Sequence, residues 1–364
     1  MSGDADRRFM AMALSLGRRG LGKTWPNPAV GAVIVKDGVM VGRGWTQPGG
    51  RPHAEVEALR RAGAAARGGT LYVTLEPCSH HGKSPPCADA VIAAGITRVV
   101  SALQDPNPEV AGQGHARLRA VGIAVEVGVG AEAARRDHAG HIRRMRDGRP
   151  NVMLKLAISA DGKAGAAGGK PVAITGEAVR ERVHLLRAHS DAIMVGIGTA
   201  LADDPMLTCR LPGMAKDSPV RVVADNMLRL PVNSRLARSA YETPVWALTG
   251  LAAPQASEFA LLPLGVEVLR SPQSAARLDL KDGLEFLAAK GITRLMVEGG
   301  PTLAAAFIAA DLVDEAVLFH APTIVGPDGV DALASDAMEA LTRKLKQVSS
   351  EPVGADRQVH YVRE

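Results

Sequence analysis

His53-Ala54-Glu55, then Pro77-Cys78, then Cys87 constrain this chain more than any other positions. One imidazole and two thiolates suit Zn²⁺, and they meet at one ion only if separate segments fold their ends together. Residues two apart on a regular helix diverge by about 200°. His53 and Glu55 therefore converge only at a first turn, and Pro52 just before them is consistent with a helix beginning there. Cys87, after Pro85-Pro86, opens a second predicted helix, where the dipole stabilises a thiolate. Asp37-Gly38 is a tight-turn pair between the Val/Ile-rich runs 29–35 and 39–45, which predicts a hairpin. The spacing further predicts helices over 53–66, 87–94 and 115–120 and strands over 70–75, 98–103 and 124–129. Strands alternating with helices make a three-layer α/β/α unit.

The order H-x-E, P-C, C with both parts at helix starts is the zinc-deaminase signature. Three protein ligands leave a fourth position for water, whereas structural zinc is normally closed by four. Zinc makes that water acidic near neutral pH, and Glu55 is placed to carry its proton to the leaving amine. The bland alternative is a core histidine and two buried cysteines brought together by chance. Spacing separates the deaminase classes: nucleic-acid deaminases carry P-C-x-x-C. Here eight residues, Ser79 to Pro86, separate Cys78 from Cys87. That polar, basic insertion is either a grip for a small anionic substrate or a solvated loop. Cys209 lacks such partners and reads as a small half-buried residue.

Charge supports a small-molecule substrate. The 43 Lys and Arg outnumber 38 Asp and Glu by only five, and they are dispersed, with no stripe that a duplex would require. Aromatic residues are 3%, too few for a single-strand stacking platform. Three cysteines cannot build a disulfide framework. No apolar run is long enough for a transmembrane helix. Residues 1–20 read as an amphipathic helix, not a signal peptide, so a cytoplasmic protein is expected. The Arg-rich segment 137–150 ends in Gly148-Arg149-Pro150 and marks the expected border between domains 1–147 and 148–364.

The second half again alternates, with strands expected over 152–158, 192–196, 220–224, 245–248, 266–269, 294–297 and 315–319, and helices over 177–188, 283–289 and 303–309. Gly196-Ile197-Gly198-Thr199 lacks the third glycine of G-x-G-x-x-G, so a Rossmann assignment fails. Glu298-Gly299-Gly300-Pro301-Thr302 runs from a strand into a helix; it is either a phosphate-binding helix start or an ordinary glycine turn. Residues after about 331 carry no readable motif.

Thr74-Leu75-Glu76-Pro77-Cys78-Ser79-His80-His81-Gly82-Lys83-Ser84-Pro85-Pro86-Cys87 resembles the deaminase motif of the bifunctional RibD-type riboflavin-biosynthesis enzymes, and Pro26 to Val35 resembles their segment before the hairpin. Lys155 to Lys163, Val195 to Pro205 and Val297 to Gly300 resemble their reductase motifs, so the likeness runs from about residue 5 to 330. The resemblance implies an N-terminal cytidine-deaminase-like α/β/α domain and a C-terminal dihydrofolate-reductase-like α/β domain. It implies zinc-dependent deamination of a diamino-hydroxypyrimidine bearing a phosphoribosylamino group, then NADPH reduction of ribosyl to ribityl. By the same likeness Asn27, His80 and Lys83 hold the deaminase substrate. Ala157, Thr199, Asp203 and the run Gly300, Pro301, Thr302, Leu303, Ala304, Ala305, Ala306 contact the cofactor. Arg187, Leu207, Arg210 and Glu298 contact the reductase substrate, and Lys155 is either a neutralising charge at the sugar or a surface lysine. The chain departs from the family pattern at Thr46, Pro171 and Ala173. The expected partner is a small phosphorylated pyrimidine, with no nucleic acid and no membrane, in a homo-oligomer. The alternatives are a single-activity deaminase with a degenerate reductase half, a nucleic-acid base deaminase, and a non-enzymatic zinc scaffold.

Overall fold

The computed structural model describes residues 3–80, 85–169, 172–271 and 278–363, which form two compact units, Met1–Gly148 and Arg149–Glu364. In the first unit the apolar periodicity produces strands β1 (Gly31–Lys36), β2 (Val39–Trp45), β3 (Thr70–Val73), β4 (Arg98–Ser101) and β5 (Ala124–Val127). They lie in the order β2-β1-β3-β4-β5, with β1 antiparallel to both neighbours and β3, β4 and β5 parallel. Alternate residues of a strand face opposite sides, and both sides here are apolar. Ala32, Ile34, Leu71, Val73 and Val99 pack with Ala54, Ala58, Ala88, Val91 and Leu118 from the helices Ala54–Ala62, Cys87–Ala93 and Gln113–Ala120. Val33, Val35, Tyr72 and Val100 pack on the other side with Phe9, Met10, Ala13 and Leu14 of the helix Gly3–Gly17 and with Ala134. This is the expected three-layer unit.

Glycine is required where the helices press on the sheet. A Cβ on Gly31 would stand 1.8 Å from the Ala13 carbonyl oxygen, and one on Gly44 would stand 2.4 Å from that of Ala54. The helix expected over 53–66 closes at Ala62 and continues as one tighter turn, Gly63–Ala66. The segment 137–150, read as a polar border, is helical for most of its length: Ala131–Asp137 is followed by Ala139–Asp147. Each of these two helices buries one small residue, Ala134 and Gly140, so neither carries a visible apolar stripe.

The second unit holds β6 (Asn151–Ile158), β7 (Lys163–Gly165), β8 (Ala192–Gly196), β9 (Val220–Ala224), β10 (Val245–Gly250), β11 (Val266–Ser271), β12 (Arg294–Val297), β13 (Glu315–His320), β14 (Val330–Asp331), β15 (Lys346–Val353) and β16 (Asp356–Val362). Among the described residues nine of these form one sheet in the order β11-β10-β9-β8-β12-β6-β13-β16-β15. It is parallel from β11 to β13 and closes with the antiparallel hairpin β15–β16. The first strand, β6, is central, pairing with β12 (Asn151 opposite Arg294) and with β13 (Met153 opposite Glu315). β7 and β14 form a separate two-stranded ribbon. The helix Ser335–Lys344 and the hairpin after it occupy the stretch where no motif is readable. Among the described residues no helix is long and apolar enough to cross a membrane.

Candidate active sites

In the first unit His53 is the N-cap residue of the helix Ala54–Ala62, and Glu55 lies in its first turn. Cys87 begins the helix Cys87–Ala93, and Cys78 lies in the loop that follows β3. His53 Nδ1 stands 3.3 Å from Cys87 Sγ and 3.7 Å from Cys78 Sγ, and the three donor atoms lie within 4.8 Å of one another. The Cys87 amide donates to Cys78 Sγ at 3.2 Å, so a helix start also stabilises the second sulfur. A thiol hydrogen bond from Cys87 holds Cys78 below the ordinary thiol range, while the same bond and burial push Cys87 up. Zn²⁺ binds cysteine as thiolate, so binding here would release thiol protons. This donor set fits zinc. Glu55 is buried, and burial, reinforced by the Cys78 charge, raises its carboxyl to about 7. At that value it both accepts and donates protons near neutrality.

Asn27 is adjacent: its Nδ2 donates to the Gly50 carbonyl at 2.7 Å and stands 3.5 Å from His53 Nε2. His80 is exposed and shares the wall of a small depression with Cys78, Ser79 and Asp105. Lys83 lies outside the described residues. Thr46, the departure in this half, is buried and turned into the frame, its Oγ1 accepting from the Val30 amide at 3.0 Å. Cys209, in the second unit, is buried and not half-exposed.

The second unit brings its candidates to the carboxyl ends of parallel strands. A cleft of about 380 Å³ is lined by Thr199 and Asp203 of the helix Ile197–Asp203 and by Gly300, Pro301, Thr302 and Leu303 at the start of the helix Pro301–Ala309. Thr199 Oγ1 accepts from the Gly300 amide at 3.1 Å and ties the two turns together. That volume is in the range of a cofactor site, and amides at a helix start suit its phosphates. Ala157, Ala305 and Ala306 do not line this cleft, and Ala304 is fully buried. The lining also includes Ala164 and Gly165 of β7 and Val330 of β14, which sequence reasoning missed. Their pairing across the ribbon leaves no local signal. Val172 is also in the lining; Ala173 beside it is exposed, and Pro171 lies outside the described residues.

Lys155, Arg187 and Glu298 form one ion group. Lys155 Nζ is 3.2 Å from Glu298 Oε1, and Arg187 meets Oε2 at 2.9 and 3.0 Å. Burial pushes the Glu298 carboxyl up, but Lys155 and Arg187 pull it below its ordinary range. Lys155 is therefore not a surface lysine. Arg187 also donates to the Thr208 carbonyl, and the Arg210 amide donates to His184 Nδ1. Leu207, next to Thr208, is buried in the core with a backbone φ of +55°. The Arg210 side chain is exposed.

Comparison with known proteins follows the same division. Residues 4–103 match the cytidine and deoxycytidylate deaminase zinc-binding region, and residues 150–359 match the RibD C-terminal domain. The riboflavin biosynthesis protein RibD of Escherichia coli K12 is 42% identical over 372 residues, covering 98% of this chain and 99% of that protein. Its counterpart from Aquifex aeolicus is 42% identical over 89% of this chain and 88% of its own length. The structure of Acinetobacter baumannii RibD superposes with a TM-score of 0.88 at 36% identity, over the whole of both chains. A Thermotoga maritima structure described as a diaminohydroxyphosphoribosylaminopyrimidine deaminase/5-amino-6-(5-phosphoribosylamino)uracil reductase gives 0.87 at 36% identity, over 100% of this chain and 99% of that one. This chain belongs to the RibD family of riboflavin biosynthesis proteins.

Proposed function

We propose that the first unit deaminates 2,5-diamino-6-(5-phosphoribosylamino)pyrimidin-4-one hydrolytically and that the second unit reduces the ribosyl group of the product to ribityl. The observation that carries this reading is the meeting of His53 Nδ1 with the Cys78 and Cys87 sulfurs beside a buried Glu55. Those three side chains would hold zinc, which when bound activates water for attack on the ring. Glu55 holds a proton on its carboxyl and delivers it to the departing amine, so that water enters and ammonia leaves. Asn27 and His80 orient the pyrimidine, and Lys83 neutralises the substrate phosphate.

In the second unit the cleft beside Thr199, Asp203 and Gly300 would take NADPH, which supplies the reducing equivalent. Glu298, two residues before Gly300 of that cleft, holds Lys155 and Arg187, which would meet the substrate there, and Arg210 extends a guanidinium suited to phosphate. The protein's part in reduction is alignment of sugar carbon and nicotinamide. The same reading places the chain in the cytoplasm as a homo-oligomer without a nucleic-acid partner, in keeping with its dispersed charge.

The test is Glu55→Gln. Ammonia release should fall at least about 100-fold, while NADPH oxidation with pre-deaminated substrate continues at the wild-type rate. Loss of both activities would refute the division of labour between the units.

A further inference from the structure

Glu76 is a buried carboxylate two residues before Cys78; three backbone amides donate to it, and His115 Nδ1 stands 3.7 Å from its Oε2. Its Oε2 accepts from the amides of Asp105 at 3.0 Å and Gly112 at 2.9 Å, and Oε1 accepts from that of His115 at 3.1 Å. The last two amides belong to the start of the helix Gln113–Ala120, where the dipole favours an anion. Cys78 is held just as firmly from the other side: its carbonyl accepts from the Ala88 amide at 3.1 Å and its sulfur from that of Cys87. The segment Glu76-Pro77-Cys78 is thus strapped between two helix starts.

Three features make this strap stiff. Proline fixes its own φ and restricts the residue before it, so Glu76 and Cys78 move together. Gly114 leaves room for the strap: a Cβ there would stand 2.0 Å from the Pro77 carbonyl oxygen and 3.2 Å from Glu76 Oε1. Finally, Asp105, whose amide Glu76 binds, lines the same depression as Cys78 and His80. One carboxylate therefore sets both the position of a metal donor and the wall beside it.

The geometry points to Glu76 as a positioning residue for the deaminase metal site, fixing Cys78 for the ion and the 105–112 loop for the substrate. This rests on the reading of His53, Cys78 and Cys87 as zinc ligands. Glu76→Gln keeps the shape but removes the charge, and it turns an amide NH₂ toward backbone donors. Partners of this kind, behind the ligands, set metal affinity by about 10–100-fold.

The experiment uses the full chain loaded with Zn²⁺ or Co²⁺. Glu76→Gln should weaken zinc in chelator competition by about 10–100-fold, shift the thiolate-to-Co²⁺ absorption bands, and lower deamination. Reduction of pre-deaminated substrate should be unchanged. Gly114→Ala attacks the strap from the helix side, leaving the carboxylate's charge in place while crowding it and the Pro77 carbonyl, and should move affinity and spectrum the same way; it decides the matter if Glu76→Gln does not fold. Either folded variant with wild-type zinc affinity and Co²⁺ spectrum, even with a lower melting temperature, makes Glu76 a helix cap only and overturns the proposal. A wild-type chain that binds neither ion refutes the ligand reading itself, and this inference falls with it.

Discussion

Replacing Glu298 by Gln tests how the second unit arranges charge. The Glu298, Lys155 and Arg187 side chains are only 16%, 12% and 11% exposed, and one carboxylate answers two cations at 2.9 to 3.2 Å. Removing one member of such a buried group costs about 3–5 kcal/mol, because it strands charge away from water. Gln keeps one oxygen to accept a bond, so the expected cost is about 3 kcal/mol. For a unit of this size that lowers the melting temperature by roughly 6–12 °C. Lys155→Met should relieve part of the loss, because the double variant leaves a single cation. Calorimetric melts of wild type, Glu298→Gln, Lys155→Met and the double variant close the cycle, with an expected coupling of about 1–3 kcal/mol. KM for the pre-deaminated substrate should rise in Glu298→Gln, since Arg187 also holds the Thr208 carbonyl. Costs that add within about 0.5 kcal/mol, or a variant melting with the wild type, would refute the claim that these three side chains act as one group.

Other outcomes follow from single contacts. Asp6 accepts from Tyr72 and from both terminal nitrogens of Arg98, and the Arg98 bonds hold its carboxyl down to about 2 from 3.8. A folded value below the unfolded one stabilises above pH about 4 and is lost as pH falls toward 2, by about 2 kcal/mol; urea midpoints of Asp6→Asn and wild type should converge over that window, and a pH-independent gap would count against it. Gly44→Ala should cost about 1–3 kcal/mol by overpacking and reduce zinc content, since the clash with the Ala54 carbonyl pushes the helix bearing Glu55 off the sheet; normal zinc content and stability would exclude this. Thr199→Val leaves the Gly300 amide without its acceptor, so KM for NADPH should rise about fivefold, for about 1 kcal/mol; an unchanged KM would detach that turn from cofactor binding.

What the sequence disclosed depended on distance along the chain. His53, Cys78 and Cys87 were legible because their chemistry is rare and each sits beside its own helix signal. Lys155 reads locally as either a charge at the sugar or a surface lysine; its partner Glu298 directly follows β12, and only the strand order brings β12 beside β6. The helices Ala131–Asp137 and Ala139–Asp147 were hidden because Arg and Asp fill positions that periodicity needs apolar. The hairpin β15–β16 is mostly exposed along β15, so alternation there carries little hydrophobic contrast. The role of Thr46 is visible only in space: its hydroxyl accepts from the Val30 amide, sixteen residues back along the chain.

The placement of β6 has a consequence for synthesis. In the first unit, strands adjacent in the sheet are near one another along the chain, so it can close soon after residue 127 emerges from the ribosome. In the second, Asn151 must wait for Arg294, and Met153 for Glu315, before the central strand has either neighbour. Non-local pairing of this kind is slow and leaves strand edges open to association. A nascent chain halted near residue 290 would therefore carry a finished first unit and an unpaired β6, and the second chemistry becomes available only when translation is nearly over.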